Sequence, residues 1–189
     1  MDQLTRLLLD AQRGDRDALE RFVAATQHDV LGLCRYLGDR DNAEDLAQET
    51  YERAFAALHR FRATGPAKHW LLTIARRTCA DATRRRIRGR RKQLRVATMA
   101  HDDGRDAPSV SEAAELDELL FTLDPDRRAA FVLTQINGLR YEEAAELLGV
   151  PIGTVRSRVA RARDELVGAI NAADRESGEP DDLRRRPSG

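Results

Sequence analysis

Residues 149–163 read "GVPIGTVRSRVARAR", and the way this stretch folds decides how the rest of the chain is read. Val155, Val159, Ala162 and Leu166 recur at spacings of four, three and four, which is the period of one helix face. Just upstream, residues 141–148 carry Ala144, Ala145 and Leu148, small enough to let two helices cross closely, and Gly149 ends that segment. A short helix, the turn "GVP" and a longer helix from about Ile152 make a helix-turn-helix pattern. Arg156, Ser157, Ala160, Arg161 and Arg163 lie outside the apolar stripe, and no acid occurs from Ile152 to Arg163. With no intrahelical partner before Asp164 and Glu165, these arginines form an unpaired basic face. On the second helix of such a motif, that face suits duplex DNA: Arg bridges guanine acceptors bidentately, and other guanidiniums hold phosphates.

Elsewhere the apolar residues also recur at three and four, never alternating for long enough to make a strand. Leu4, Leu7, Leu8 and Ala11 form one stripe, ended at Gly14; Leu19, Phe22, Val23, Thr26, Val30, Leu33 and Leu37 form a second, ended at Gly38. Asn42 is placed to cap a third helix with Leu46, Tyr51, Ala54, Phe55 and Leu58. The Gly-Pro pair in "RATGPA", residues 62–67, marks a loop, and a fourth helix runs from about Lys68 into an arginine cluster. Residues 95–111 lose periodicity and gather Asp, Gly, Pro and Ser, the composition of a flexible linker. Beyond it come a short helix through Leu123, a helix started by Asp124-Pro125 and running to Ile136, and the two helices of the opening motif, the last ending near Ile170. The fold class is therefore all-α: two helical modules, residues 1–94 and 112–171, joined by a linker and followed by a disordered tail, residues 172–189.

The chain has 189 residues, 34% of them charged, with a formal net charge of zero. That neutrality hides polarity: ten basic residues and one acid lie between Arg76 and Arg95, whereas residues 111–125 carry only acids. Separate basic and acidic surfaces imply more than one partner. Cys34 and Cys79 lack C-x-x-C spacing and read as reduced, buried thiols of a cytosolic protein. The run Leu7–Leu9 is too short for a signal segment or a membrane span, so no membrane insertion is expected. His28, His59, His69 and His101 show no metal-ligand spacing, and neither a phosphate loop nor a nucleophile motif occurs. No catalytic residue, metal or cofactor is expected.

Two blocks carry a family resemblance. Residues 41–55, "DNAEDLAQETYERAF", followed by "FRATGPAKHWLLTIARRTCADATRRR", resemble the N-terminal conserved module of bacterial RNA polymerase sigma factors. Residues 123–166, "LDPDRRAAFVLTQINGLRYEEAAELLGVPIGTVRSRVARARDEL", resemble their C-terminal module. The length, with little between the blocks, matches the extracytoplasmic-function (ECF) subgroup. That resemblance implies a cytoplasmic protein that binds core RNA polymerase and places it on promoter DNA, with the polymerase performing the chemistry. It gives Asp45, Gln48 and Glu49 the role of docking on the clamp helices of the polymerase's largest subunit. To Arg62, Lys68, Trp70, Arg76, Arg77 and Arg84 it gives opening of the −10 element, with one non-template base flipped out and stacked. Thr154, Arg156, Ser157 and Arg161 are expected at the −35 duplex, Thr154 near the phosphates. Many members are also held inactive by an anti-sigma partner that covers both modules.

Two positions depart from the family pattern. Relatives usually read Ile-Ala-Arg-Asn where this chain has Ile74, Ala75, Arg76 and Arg77, and an Asn both donates and accepts at a base edge whereas Arg only donates. Relatives also often place a Ser where Arg140 stands. The competing expectation is a one-component helix-turn-helix regulator, which calls for a ligand pocket or phospho-acceptor before residue 100; the segment holds "DLAQET" and the Trp-Arg helix instead.

Overall fold

Capping chemistry sets the helix starts in the computed structural model, which describes residues 1–94 and 112–177; the expected linker and most of the expected tail lie outside the described residues. The Asp2 carboxylate accepts the Thr5 N–H at 2.9 Å to open α1 (Gln3–Gln12), and Asp15 accepts from Ala18 at 3.0 Å to open α2 (Arg16–Leu37). A single 3₁₀ turn, Arg40–Asn42, leads into α3 (Ala43–Ala57). Asn42 does sit at the start of α3, but its amide donates to the Asp39 carboxylate at 3.2 Å and does not cap the helix as expected. At the head of α4 (Ala67–Leu94), the otherwise orphaned Ala67 N–H is taken up by the Thr5 hydroxyl of α1 at 3.0 Å.

In the C-terminal half, α5 (Glu112–Thr122) precedes α6 (Pro125–Phe131), whose N-cap Asp124 accepts from Asp126 and Arg127. The expected regular helix to Ile136 is broken: residues Val132–Ile136 form a π turn. The Asn137 N–H reaches the Val132 carbonyl, five residues back, at 2.9 Å, which widens the turn, and Asn137 is buried. α7 (Tyr141–Leu148) opens with the Glu143 carboxylate accepting the Arg140 N–H at 2.8 Å, the bond from the third helical position back to the residue before the helix; an N-cap Ser would instead accept an N–H of the first turn. Gly149 closes it at φ 68, a left-handed geometry that any Cβ would strain. α8 (Ile152–Ser177) continues past the expected end near Ile170 and takes in the start of the segment read as tail.

Among the described residues there are helices and no strands. Phe22, Val30 and Leu33 of α2 pack fully buried against Leu71 and Leu72 of α4; Val155 and Val159 of α8 pack with Leu133, and Ala162 with Leu120. Burial of this kind stabilises by roughly 1.5–3 kcal/mol per large side chain. The two halves also touch. α2 packs on α6 and the π turn, and α4 meets α7. Asp117 of α5 pairs with Arg35 and accepts from the Tyr36 hydroxyl, both on α2. The Phe121 ring lies between the Arg40 and Arg128 guanidiniums, 5.2 and 4.8 Å from its centroid.

Candidate nucleic-acid interface

The crossing of α7 and α8 places the basic face. Val155 and Val159 are sealed against α7 and the π turn, so Arg156, Ser157, Ala160 and Arg161 are held outward and exposed. Thr154 is half-buried at the first turn of α8, and its carbonyl accepts the Ser157 hydroxyl at 3.0 Å. The four arginines of the opening stretch are not equivalent. Arg158 pairs with Asp126 of α6, and Arg163 donates to the Gln135 side chain at 2.6 Å. Arg156 and Arg161 make no ion pair among the described residues. Of the three guanidiniums that the sequence puts on the unpaired face, Arg163 is thus engaged by the π turn and Arg156 and Arg161 remain, while Arg158, off that face, is held by α6.

The second basic region starts in the loop before α4. Gln12 of α1 donates to the Leu58 and Phe61 carbonyls at 2.8 and 3.0 Å, which ties down the approach to the loop. Within it Arg62 is exposed, and Ala63 holds φ 52, a conformation that costs a non-glycine residue energy and persists only where its surroundings enforce it. Trp70 is half-buried, its ring 5.2 Å from that of Phe61 and tilted 56° to it. The indole is therefore shared between a contact with the buried Phe61 ring and solvent. Lys68 is paired to Asp29 at 2.8 Å, and Arg76 is half-buried with its guanidinium 3.4 Å from the Leu148 carbonyl at the end of α7. Arg77 is exposed; Arg84 is exposed and paired to Asp81 at 2.6 Å.

Glu49 and Arg53 of α3 clamp the basic helix. Glu49 binds Arg53 at 2.6 Å and Arg85 at 3.0 Å, and the Arg85 contact is the main reason its carboxyl stays below the ordinary range, against the opposing effect of burial. Arg53 and Arg84 hold the Asp81 carboxyl down to about 2. Asp45 and Gln48 are exposed on α3, Gln48 donating to Glu52 at 3.2 Å, whereas Glu49 is turned to α4. The three residues expected to act together at the polymerase are thus divided: two face outward and one locks α3 to α4.

Sequence reasoning missed Asp29 and Asn137. Asn137 is fully buried and donates to the Asp29 carbonyl and carboxylate at 3.1 and 3.3 Å, so Asp29 receives both Lys68 and the C-terminal half of the chain. Periodicity puts Asp29 on a polar face of α2 and nothing more, since its partners lie far along the chain. Among the described residues no three His, Cys, Asp or Glu side chains are grouped to hold a metal ion.

The sigma-70 region 2 profile matches residues 22–89, and the sigma-70 region 4 profile matches residues 113–166. The ECF RNA polymerase sigma factor SigC of Mycobacterium tuberculosis is 43% identical over 184 residues, covering 96% of this chain and 95% of that protein. The RNA polymerase sigma-H factor of Pseudomonas aeruginosa is 35% identical over 93% of this chain and 98% of its own length. Among solved structures, the sigma factor RpoE of Bartonella quintana, in complex with the anti-sigma factor NepR, aligns at a TM-score of 0.68 with 28% identity, over 81% of this chain and 96% of that one. CnrH in complex with the cytosolic domain of CnrY aligns at 0.66 with 28% identity, over 90% and 99%. With both conserved regions in order, and an outward basic helix in the second of them, the chain belongs to the ECF sigma factors of the sigma-70 family.

Proposed function

We propose that this chain binds core RNA polymerase in the cytoplasm and selects promoters with two surfaces, α8 reading the −35 duplex and the loop-plus-α4 surface opening the −10 element. The observation that carries the −35 assignment is the selective freedom of Arg156 and Arg161 while their neighbours Arg158 and Arg163 are engaged by the fold. Pre-formed contacts hold α8 rigid, and the two unpaired guanidiniums are left to bond base edges or phosphates; Ser157 and Thr154 lie on the first turns beside them. The sigma chain performs no catalysis. It supplies positioning and the energy to unstack a base, a few kcal/mol.

At the second surface, Trp70 offers its remaining exposed surface to an unpaired base, Arg62 and Arg77 add positive charge nearby, and Arg84, paired to Asp81, lies about 21 Å farther along α4. Lys68 and Arg76 are engaged within the chain, so taking up promoter DNA means exchanging Asp29 and the Leu148 carbonyl for nucleic acid. Separating the two halves of the molecule is thus part of promoter loading. Asp45 and Gln48 remain available to the polymerase clamp, with Glu49 holding α3 in register. By analogy with the neighbour held by the anti-sigma factor NepR, this chain takes an anti-sigma protein as a further partner. No helix among the described residues is long and apolar enough to cross a membrane.

Run-off transcription on a promoter library tests the function directly. Purified core polymerase plus this chain should start transcripts at a defined set of −35/−10 pairs that core alone ignores; unchanged start sites would overturn the assignment.

A further inference from the structure

The loop before α4 has little of its own to fix its shape. Arg62, Thr64, Gly65 and Pro66 are exposed, and Ala63 alone leans on the core. Ordering each such residue costs conformational entropy that so little burial does not offset. Yet Ala63 sits at φ 52, which a residue with a Cβ keeps only where its surroundings enforce it. Side-chain bonds do hold the loop at both ends, and both sets come from α1.

At the entry, the Gln12 amide donates to the Leu58 and Phe61 carbonyls at 2.8 and 3.0 Å, fixing the 3₁₀ turn Leu58–Arg60 and the residue after it. At the exit, the Thr5 hydroxyl accepts the Ala67 N–H at 3.0 Å while donating its own proton to the Asp2 carboxylate at 2.6 Å. Thr5 is 2% exposed and Ala67 is fully buried, so without that hydroxyl the first N–H of α4 has neither an intrahelical acceptor nor water. Thr5, Leu8 and Gln12 follow one another at spacings of three and four and share one face of α1. The two polar grips lie about 10 Å apart along the helix axis, and the buried Leu8 anchors the face between them in the core. α1 lies wholly outside residues 22–89, the span that the region 2 profile matches, yet it grips both ends of the loop.

We propose that Thr5 and Gln12 of α1 are positioning residues for promoter opening, holding residues 62–66 from both ends in the shape that receives an unpaired −10 base. The proposal rests on the reading of this loop and α4 as the −10 surface. Thr5 is buried and Gln12 half-buried, so they act through the loop backbone and not on DNA. A loop already set when the base arrives loses no further entropy on receiving it. Without the grips the closed complex forms as before and passes more slowly to the open one.

The test uses the full chain assembled with core polymerase on a duplex promoter taken from the run-off library. Filter binding at low temperature gives the closed-complex affinity, and the time course of permanganate reactivity at the −10 thymines gives the opening rate. Gln12→Met and Thr5→Val remove the grips and keep side-chain bulk. Each should slow opening about tenfold, the cost of ordering roughly one more residue, with closed-complex affinity unchanged. Thr5→Ser keeps the hydroxyl and should open at the wild-type rate. So should Leu7→Ala, which empties a buried site on α1 that has no bond to the loop. In the free chain, nuclear magnetic resonance order parameters of the Arg62–Gly65 amides should fall in both Gln12→Met and Thr5→Val. Should Thr5→Val not fold, Gln12→Met carries the test by itself.

Trp70→Ala, run beside these variants, separates the proposal from the reading beneath it. Slow opening in Trp70→Ala with wild-type rates in Gln12→Met and Thr5→Val overturns the proposal and leaves the −10 surface standing; wild-type rates in all three overturn both. Slowing in Leu7→Ala as large as in Gln12→Met, or order parameters that do not fall, would reduce α1 to a packing element and overturn the positioning role.

Discussion

Replacing Asp117 tests whether the two halves of the chain are held together by chemistry the structure shows. The Asp117 side chain is 10% exposed; it pairs with Arg35, 39% exposed, and accepts from the Tyr36 hydroxyl. Asp117→Ala removes two charge-assisted hydrogen bonds, each worth roughly 1.5–3 kcal/mol when both partners are desolvated. Water reaches Arg35 and recovers much of its share, so the net loss is about 2 kcal/mol, close to 30-fold in the docking equilibrium because ~1.4 kcal/mol is tenfold. Asp117→Asn keeps an acceptor for Tyr36 and should lose about half as much. The loss should appear as a broadened distance distribution in single-molecule energy transfer between dyes at Glu44→Cys and Glu146→Cys, two exposed positions on opposite halves; the buried native thiols escape labelling. A double-mutant cycle with Arg35→Ala should give a coupling of about 1–2 kcal/mol, shrinking with added salt. An unchanged distance distribution in Asp117→Ala, with coupling below ~0.3 kcal/mol, would refute the claim that this contact docks the halves.

Other outcomes follow from the same geometry. Arg161→Ala should cost roughly 1–3 kcal/mol in discrimination among −35 sequences, read by competitive run-off transcription; equal loss on every sequence would reassign Arg161 to phosphate. Trp70→Ala should spare polymerase binding yet reduce permanganate reactivity of the −10 thymines, and unaltered reactivity would remove Trp70 from strand opening. Glu49 and Asp81 both have folded-state pKa values below their ordinary 4.5 and 3.8, Asp81 at about 2, so they bind protons less tightly folded than unfolded. Their contribution is present above about pH 4.5 and lost as pH falls toward 2. Acid titration followed by far-ultraviolet circular dichroism should therefore show a shallower slope for Glu49→Gln; an identical slope would exclude the α3–α4 clamp as a source of acid sensitivity. Phe22→Ala, emptying a fully buried site in α2, should cost about 3–5 kcal/mol in urea unfolding, and a loss under ~1 kcal/mol would mean that the core there is loosely packed.

The helices, their order and the outward side of α8 were legible in the amino-acid sequence, because a period of three and four residues, Asp124-Pro125 and Gly149 act within one or two turns of chain. One local failure has a local partner: the Asn42 amide turned to Asp39. What the sequence could not determine was which charges remain free. Arg158 met Asp126 32 residues away, Arg163 met Gln135 28 away, Arg85 met Glu49 36 away, and Asn137 met Asp29 108 away. Periodicity assigns a side chain to a face of its own helix; the partner waiting at that face belongs to whichever distant segment the core packs beside it. Tertiary structure alone therefore separated Arg156 and Arg161 from their engaged neighbours, gave Glu49 to α4, and brought Cys34 and Cys79 together in one core.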